Sequence, residues 1–247
     1  MTGQIRVGIG GWTFEPWRGA FYPEGLAHKR ELEFASRALT SIEINGSYYS
    51  TFKRDIWKKW HDETPDDFMF AVKALRYCTN RKSLPDAGSS VERFLAQGLT
   101  ELGEKLGPIN WQLAGTKRFN ADEIGAFLAM LPKESDGIRL RHALEVRHPS
   151  FATPEFYDLA RKHNVAIVHA EGDDFPQIDE QTADFFYARL MSTSEDLADG
   201  ISVGDRSRIA KQAKSWAKGG DVFIYFIAGA KVRNPAAAQA LIGELKP

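Results

Sequence analysis

Residues 7–17, Val-Gly-Ile-Gly-Gly-Trp-Thr-Phe-Glu-Pro-Trp, decide between two folds. An apolar start followed by spaced glycines is the nearest this chain comes to the Gly-x-Gly-x-x-Gly turn of a dinucleotide-binding sheet. In that turn the glycines let backbone approach a pyrophosphate at a helix N-terminus. Here Gly8, Gly10 and Gly11 run on into Trp12, Phe14, Pro16 and Trp17, a stretch that does not open a helix. The glycines are read as a false positive, and an open doubly wound sheet loses its main support.

Outward from this stretch, short β-branched or aromatic runs alternate with helical patterns. Strands are predicted at 5–9, 41–45, 68–73, 109–113, 143–147, 165–169, 185–190 and 222–227. Helices are predicted at 29–39, 54–63, 90–106, 121–131, 154–163, 206–218 and 235–245. Thr153-Pro154 and Asn234-Pro235 read as helix starts, and Gly107-Pro108 and Gly219-Gly220 as stops. Only the polar connection EGDDFPQIDEQTAD, 171–184, lacks a helix, and it reads as a loop on the active side of the sheet. Alternating strands and helices imply a parallel sheet. Eight units in 247 residues predict a single-domain α/β protein of the TIM-type (β/α)8 barrel class, whose usual length is ~250 residues. No Pro/Gly/Ser-rich linker divides the chain.

With 43% hydrophobic and 26% charged residues the composition is that of a folded globule. Lys plus Arg total 32 against 33 Asp plus Glu, which argues against a surface that wraps nucleic acid throughout. The single cysteine, Cys78, supports no disulfide framework and has no histidine beside it, so it reads as inert. No apolar stretch is long enough for a signal peptide or a membrane span; a cytoplasmic protein with no membrane partner is expected.

Side chains alternate along a strand, so parity assigns faces. Ser41, Glu43 and Asn45 oppose Ile42 and Ile44; Ala143, Glu145 and Arg147 oppose Leu144 and Val146. Lys73 goes with Met69 and Ala71, Gln112 with Asn110, and Arg189 with Tyr187, while the sixth run ends on His169. The apolar faces suit outer helices, leaving Glu43, Asn45, Lys73, Gln112, Glu145, Arg147, His169 and Arg189 at the carboxyl ends of barrel strands, where barrel enzymes place their chemistry. Two carboxylates face three fixed cations, and that surplus favours an anionic or sugar-like ligand. Glu43 and Glu145 are assigned the acid and base, and the cations, with Asn45 and Gln112, hold and orient the anion. Trp12 and Tyr48 are candidates to stack on a sugar or base, whereas Trp17, Phe21 and Tyr22 read as packing for the long first loop. The competing structural reading is a self-satisfied ion-pair network.

A divalent metal is the disfavoured rival. Glu43, Glu145, His148 and His169 carry suitable donors, with Glu171, Asp173 and Asp174 close behind, but Lys73, Arg147 and Arg189 would repel a dication. No other cofactor is indicated. Arg76, Arg81, Lys82, Lys117, Arg118, Lys231 and Arg233 in the loops leave a nucleic-acid binding or processing protein as a second function, and a non-catalytic anion-binding module is a third.

Four stretches, VGIGGWTFEPWRGAFYPEGL (7–26), SIEINGSYYSTF (41–52), TPDDFMFAVKA (64–74) and LEVRHPSF (144–151), resemble the YecE-like proteins, the group called domain of unknown function 72. The resemblance runs nearly end to end. It implies a TIM-type barrel with a polar pocket at the strand ends, and it supplies no activity. Its pattern matches at Trp12, Tyr22, Glu43, Asn45, Tyr49, Lys73, Gln112, Glu145, Arg147, His148, Tyr187 and Arg189, which brings His148 and Tyr187 into the candidate ligand set. It departs at Ala114-Gly115, at Met191-Ser192 and at FIAGAK (226–231), the last where an asparagine pair is common. A likeness of the group to metal-dependent sugar isomerases and apurinic endonucleases is analogy of fold.

Overall fold

The fold is described from a computed structural model covering residues 2–172 and 175–246. Apart from a short antiparallel pair, Glu134–Ser135 with Ile138–Arg139, its strands form the barrel: β1 (Ile5–Gly10), β2 (Ser41–Ile44), β3 (Met69–Lys73), β4 (Leu106–Gln112), β5 (His142–Glu145), β6 in two pieces (Val165–Ile167 and His169–Ala170), β7 (Phe185–Leu190) and β8 (Asp221–Phe226). All pair in parallel, in the order 6-5-4-3-2-1-8-7-6. The first piece of β6 pairs with β5 (His142 with Val165) and the second with β7 (Ala188 with His169), so one interrupted strand closes the barrel. This is the (β/α)8 barrel expected from the alternation of runs.

Helices α1 (Glu31–Ala38), α2 (Arg54–Glu63), α3 (Arg76–Thr79), α4 (Gly88–Leu95), α5 (Ala121–Met130), α6 (Pro154–His163), α7 (Val203–Trp216) and α8 (Asn234–Leu245) connect the strands. No helix appears between β6 and β7 among the described residues, as the polar connection there predicted. Outward-facing Ile42, Ile44, Ile109, Trp111 and Leu144 join the buried faces of the helices in the main apolar layer. Met69, Ala71, Ala143, Phe185, Tyr187, Phe223 and Tyr225 fill a second cluster inside the barrel. The parity of β2 to β5 and β7 is the one read from sequence.

Three expectations are corrected. The predicted helix 90–106 is split: α4 ends at Leu95, Gly98 takes φ +96°, and a 3-10 segment, Leu99–Lys105, follows. A side chain at Gly98 would be strained in that backbone and would strike Arg54, its Cβ 2.7 Å from the arginine Cγ. Gly107 and Pro108 do not stop a helix but lie inside β4, beside a register shift against β3 that tolerates the missing proline N–H. Asn234 does not cap α8; its Oδ1 accepts from Thr193 Oγ1 at 2.8 Å, tying the loop after β7 to the helix. Thr153, by contrast, caps α6 by accepting from the Phe156 N–H, as expected. The glycines of the opening stretch are strand residues, as their reading as a false dinucleotide motif implied: Gly8 and Gly10 belong to β1, and only a 3-10 turn, Glu15–Trp17, follows.

Candidate active site

Glu43, Asn110, Glu145 and Arg189 meet inside the barrel because β2, β4, β5 and β7 each direct the same parity inward. Glu43 and Glu145 have no exposed surface. Arg189 lies between them, its Nη1 donating to Glu145 Oε2 at 2.9 Å and its Nη2 to Glu43 Oε1 at 3.2 Å. Tyr187 donates its hydroxyl to Glu43 Oε2 at 2.5 Å. Arg147 grips Glu145 Oε1 through Nε at 3.0 Å and Nη2 at 2.7 Å. The Asn110 amide donates to both carboxylates, at 3.0 Å to Glu145 and 3.4 Å to Glu43.

The charges set the protonation states. Burial pushes the Glu145 carboxyl up, but Arg189, Arg147 and Lys73 together outweigh it and hold the group down at about 2. Burial likewise lowers the Arg189 guanidinium, which Glu145 and Glu43 more than restore, so it stays charged. Tyr187 is pushed well above its usual range by burial and by Glu43, and remains a hydroxyl donor. The interior network is thus two carboxylates closed by two guanidiniums, an amide and a phenol.

Lys73 is the cation left over. It ends β3, is 8% exposed, and makes no ion pair or side-chain hydrogen bond among the described residues. Its Nζ sits 4.6 Å from the centre of the Tyr48 ring. Burial, then Arg189, lower its pKa to about 8 against the pull of Glu43 and Glu145. Buried Lys105 shows the usual alternative: its ammonium caps the end of α2 by donating to the carbonyls of His61 at 2.7 Å and Thr64 at 2.8 Å. Holding an unpaired charge at such a depth is costly, and the lowered pKa records that cost.

Above this floor lies a cavity of about 610 Å³, with Lys73, Arg189, Lys231, Asn45, Trp12 and Trp60 in its walls and exposed Tyr49 on its rim. Gly10 makes room there, because a Cβ would come within 2.5 Å of Asn45 Nδ2. The Trp12 ring stands edge-on to Trp60, with centroids 5.1 Å apart. Lys231 Nζ lies 4.2 Å from the centre of the Phe14 ring, and burial lowers its pKa. Trp17 and Tyr22 are buried in the first loop, Trp17 donating to the Lys231 carbonyl at 2.9 Å, which is the packing role expected of them.

Other candidates are placed elsewhere. His169 is not in the barrel: it faces outward with Val165 and Ile167, its ring packs on Trp216 and Phe186, and its Nδ1 lies 3.0 Å from the Ile178 carbonyl. The parity of its own strand already carried that answer. His148 begins the 3-10 turn Pro149–Phe151, where its Nδ1 accepts from the Ser150 N–H at 3.1 Å. Tyr187 belongs to the floor and not to the walls. Gln112 is 9% exposed, with a buried carbonyl oxygen that has no hydrogen-bond partner among the described residues. With both glutamates held by Arg189 and His169 outside, the metal ligand set suggested by sequence is not assembled among the described residues. Asp173 and Asp174 lie outside the described residues. Cys78 is buried, its thiol pushed up to about 12 by burial, and is inert.

Sequence reasoning missed three participants. Asn110 shares Gln112's parity but reads as filler. Trp60 occurs in α2 three residues after Trp57, a spacing that reads as core packing. Lys231 was grouped with surface cations, although it stands where the family pattern changes.

Acid titration tests the carboxylate network. A carboxyl held near 2 against about 4.5 unfolded stabilises the fold by about 3 kcal/mol above pH ~4.5, and this is lost as pH falls toward 2. Urea midpoints of the wild type should fall steeply over that window while those of Glu145→Gln fall less. Parallel slopes would contradict the assignment.

The geometry defines a TIM-type barrel with a closed ionic floor and a cationic, aromatic-walled cavity at the carboxyl ends of its strands. Residues 6–247 match the family described as protein of unknown function DUF72, and the chain belongs to that family. It is 28% identical over 150 residues to the UPF0759 protein YecE of Escherichia coli K12, a match covering 60% of this chain and 50% of that protein. It is 27% identical over 186 residues to the UPF0759 protein YunF of Bacillus subtilis 168, covering 71% and 62%. The matches thus span about half or a little more of those relatives. In structure it is similar to a DUF72 family protein of Thermotoga maritima, with a TM-score of 0.78, 20% identity and 98% of each chain covered. No helix among the described residues is long and apolar enough to cross a membrane.

Proposed function

We propose that the protein is an enzyme acting on a small anionic, sugar-like molecule, with a phosphorylated sugar the best fit to its cavity. The observation that carries this reading is Lys73, an almost fully buried ammonium in the wall of the cavity with no ion-pair partner among the described residues. An anionic group of the ligand completes the charge balance that the chain leaves open, with Lys231 as a second cation and Trp12 offering a ring to a sugar, while Tyr48, which does not line the cavity, backs the Lys73 ammonium. Asn45, with no side-chain hydrogen bond of its own among the described residues, orients the polar substituents.

The sequence assigned the proton transfer to Glu43 and Glu145. In this proposal they position Arg189 instead, because their oxygens already accept internal hydrogen bonds and Glu145, held at about 2, has no proton to give at neutral pH. Lys73, at about 8, exchanges a proton near neutrality and is the acid or base.

Calorimetric titration with ribose 5-phosphate and glucose 6-phosphate, against the parent sugars, tests this reading. The phosphates should bind at least tenfold more tightly. Equal affinities would remove the anionic site, and phosphorus NMR showing tight binding without turnover would leave only a binding module. A second reading rests on Arg81, Lys82, Lys117 and Arg118, which line a separate cavity of about 590 Å³ after β3 and β4. Lys117 is already held by Glu123 at 2.9 Å. Oligonucleotide binding with steep salt dependence, in the absence of sugar-phosphate binding, would favour that reading.

A further inference from the structure

Resting on the proposed anionic cavity, we propose that Lys73 is a covalent residue, and that the substrates are phosphorylated aldehydes or ketones whose carbonyl carbon condenses with Nζ to form an imine.

A nucleophilic amine needs a fixed backbone, a wall position and a lone pair that no acid or acceptor in the protein claims. Lys73 meets these conditions. Its carbonyl accepts from Ser47 Oγ at 2.7 Å and its strand pairs with β4 at Asn110, so the stem leaves from a fixed point. Its Nζ has no carboxylate within ion-pair distance and no carbonyl partner among the described residues, unlike Lys105, and the Tyr48 ring covers one side without accepting a classical hydrogen bond. Arg189, the cation that most disfavours the Lys73 ammonium, is held in place by both glutamates. The depression of the pKa to about 8 agrees with this geometry and gives Lys73 a free-amine fraction at pH 7 roughly three-hundredfold above that of an exposed lysine.

In the step, the Nζ lone pair forms a carbon–nitrogen bond as the carbonyl π pair moves to oxygen. Proton transfer gives the carbinolamine. Loss of its hydroxyl as water, with one proton taken from solvent, leaves the protonated imine. No oxidant, reductant or other reactant is consumed. The iminium then acts as an electron sink for removal of a proton, or cleavage of a bond, at the adjacent carbon. The protonated imine keeps the positive charge at Nζ, so the phosphate still meets a cation there, and Lys231, in the wall of the same cavity, is the second.

Reductive trapping tests this directly. The full chain is incubated at pH 7 with cyanoborohydride and either glycolaldehyde phosphate or pyridoxal phosphate, followed by peptide mass mapping. Secondary amine should accumulate at Lys73 at least tenfold faster than at any other lysine, Lys231 included, and inorganic phosphate should slow it. Lys73→Arg, which keeps the charge, should fold and lose that label. Calorimetry with glycerol phosphate, which has no carbonyl, separates the two levels of the claim. If glycerol phosphate binds but labelling is spread evenly over the lysines, the imine is refuted and the anionic cavity stands. If neither glycerol phosphate nor the aldehydes bind, the reading of the cavity fails with it.

Discussion

Replacing Arg189 with methionine should lower folding stability by about 3–5 kcal/mol, the cost of removing one partner from a buried ion pair. The effect is at the upper end because one guanidinium serves two carboxylates with no exposed surface, Glu43 and Glu145. Glu145 retains Arg147 and Glu43 retains Tyr187, so the variant keeps part of the network and should fold weakly rather than not at all. The loss should be recovered in part by adding Glu43→Gln, since an amide leaves no orphaned charge. A double-mutant cycle read from urea midpoints measures that coupling. A loss below about 1 kcal/mol for Arg189→Met would show that the carboxylates discharge at no cost, and the ionic floor would have to be redrawn.

Lys73→Met should have the opposite sign for stability and a large effect on binding. The ammonium is held at about 8, below its unfolded value of about 10.5, by burial first and by Arg189 and Arg147; Glu43 and Glu145 act against them, and the Tyr48 ring lies beside it. Below pH 8 the folded state carries the full penalty of keeping it charged. As pH rises from 8 to 10.5 the unfolded chain binds the extra proton and the wild type gains stability. Methionine has no charge to desolvate, so the variant should be more stable than the wild type by on the order of 3 kcal/mol at pH 7, the difference closing toward pH 10.5. Its affinity for a sugar phosphate should fall by roughly 10- to 100-fold, one charge-assisted hydrogen bond. Thermal unfolding across pH and calorimetry at pH 7 read the two effects. A less stable variant that still binds like the wild type would mean that Lys73 is structural. Gain in stability with loss of function is the expected mark of a group kept for its chemistry.

The barrel was legible because period-2 alternation in 41–45 and 143–147 separates an isoleucine or leucine face from a polar one, and only a sheet covered by helices on its outer side uses both. Helix 54–63 and helix 154–163 were legible to the residue because apolar spacing, and for the second a Thr-Pro start, mark both ends. The break in 90–106 was not, since Gly98 inside a helical pattern looks tolerable until its neighbour Arg54 is known. For the site, the two glutamates, Lys73, Arg147 and Arg189 were all legible, and so was their surplus of one positive charge. Their roles were not. A carboxylate at a strand end can be an acid, a base or a counter-ion, and the residues that decide among these come from other strands.

The sequence by itself determined which side chains enter the barrel, because inward and outward positions alternate with a period fixed by the backbone. It also determined that cations there outnumber carboxylates. Which of those cations lacks an ion-pair partner among the described residues follows from the folded arrangement. Arg189 reaches Glu43 across 146 residues of chain and Glu145 across 44, and Arg147 closes on Glu145 from two residues away. Coulomb attraction depends on separation in space and on the depth of burial, neither of which spacing along the chain records, and those two quantities leave Lys73 as the charge the fold does not neutralise.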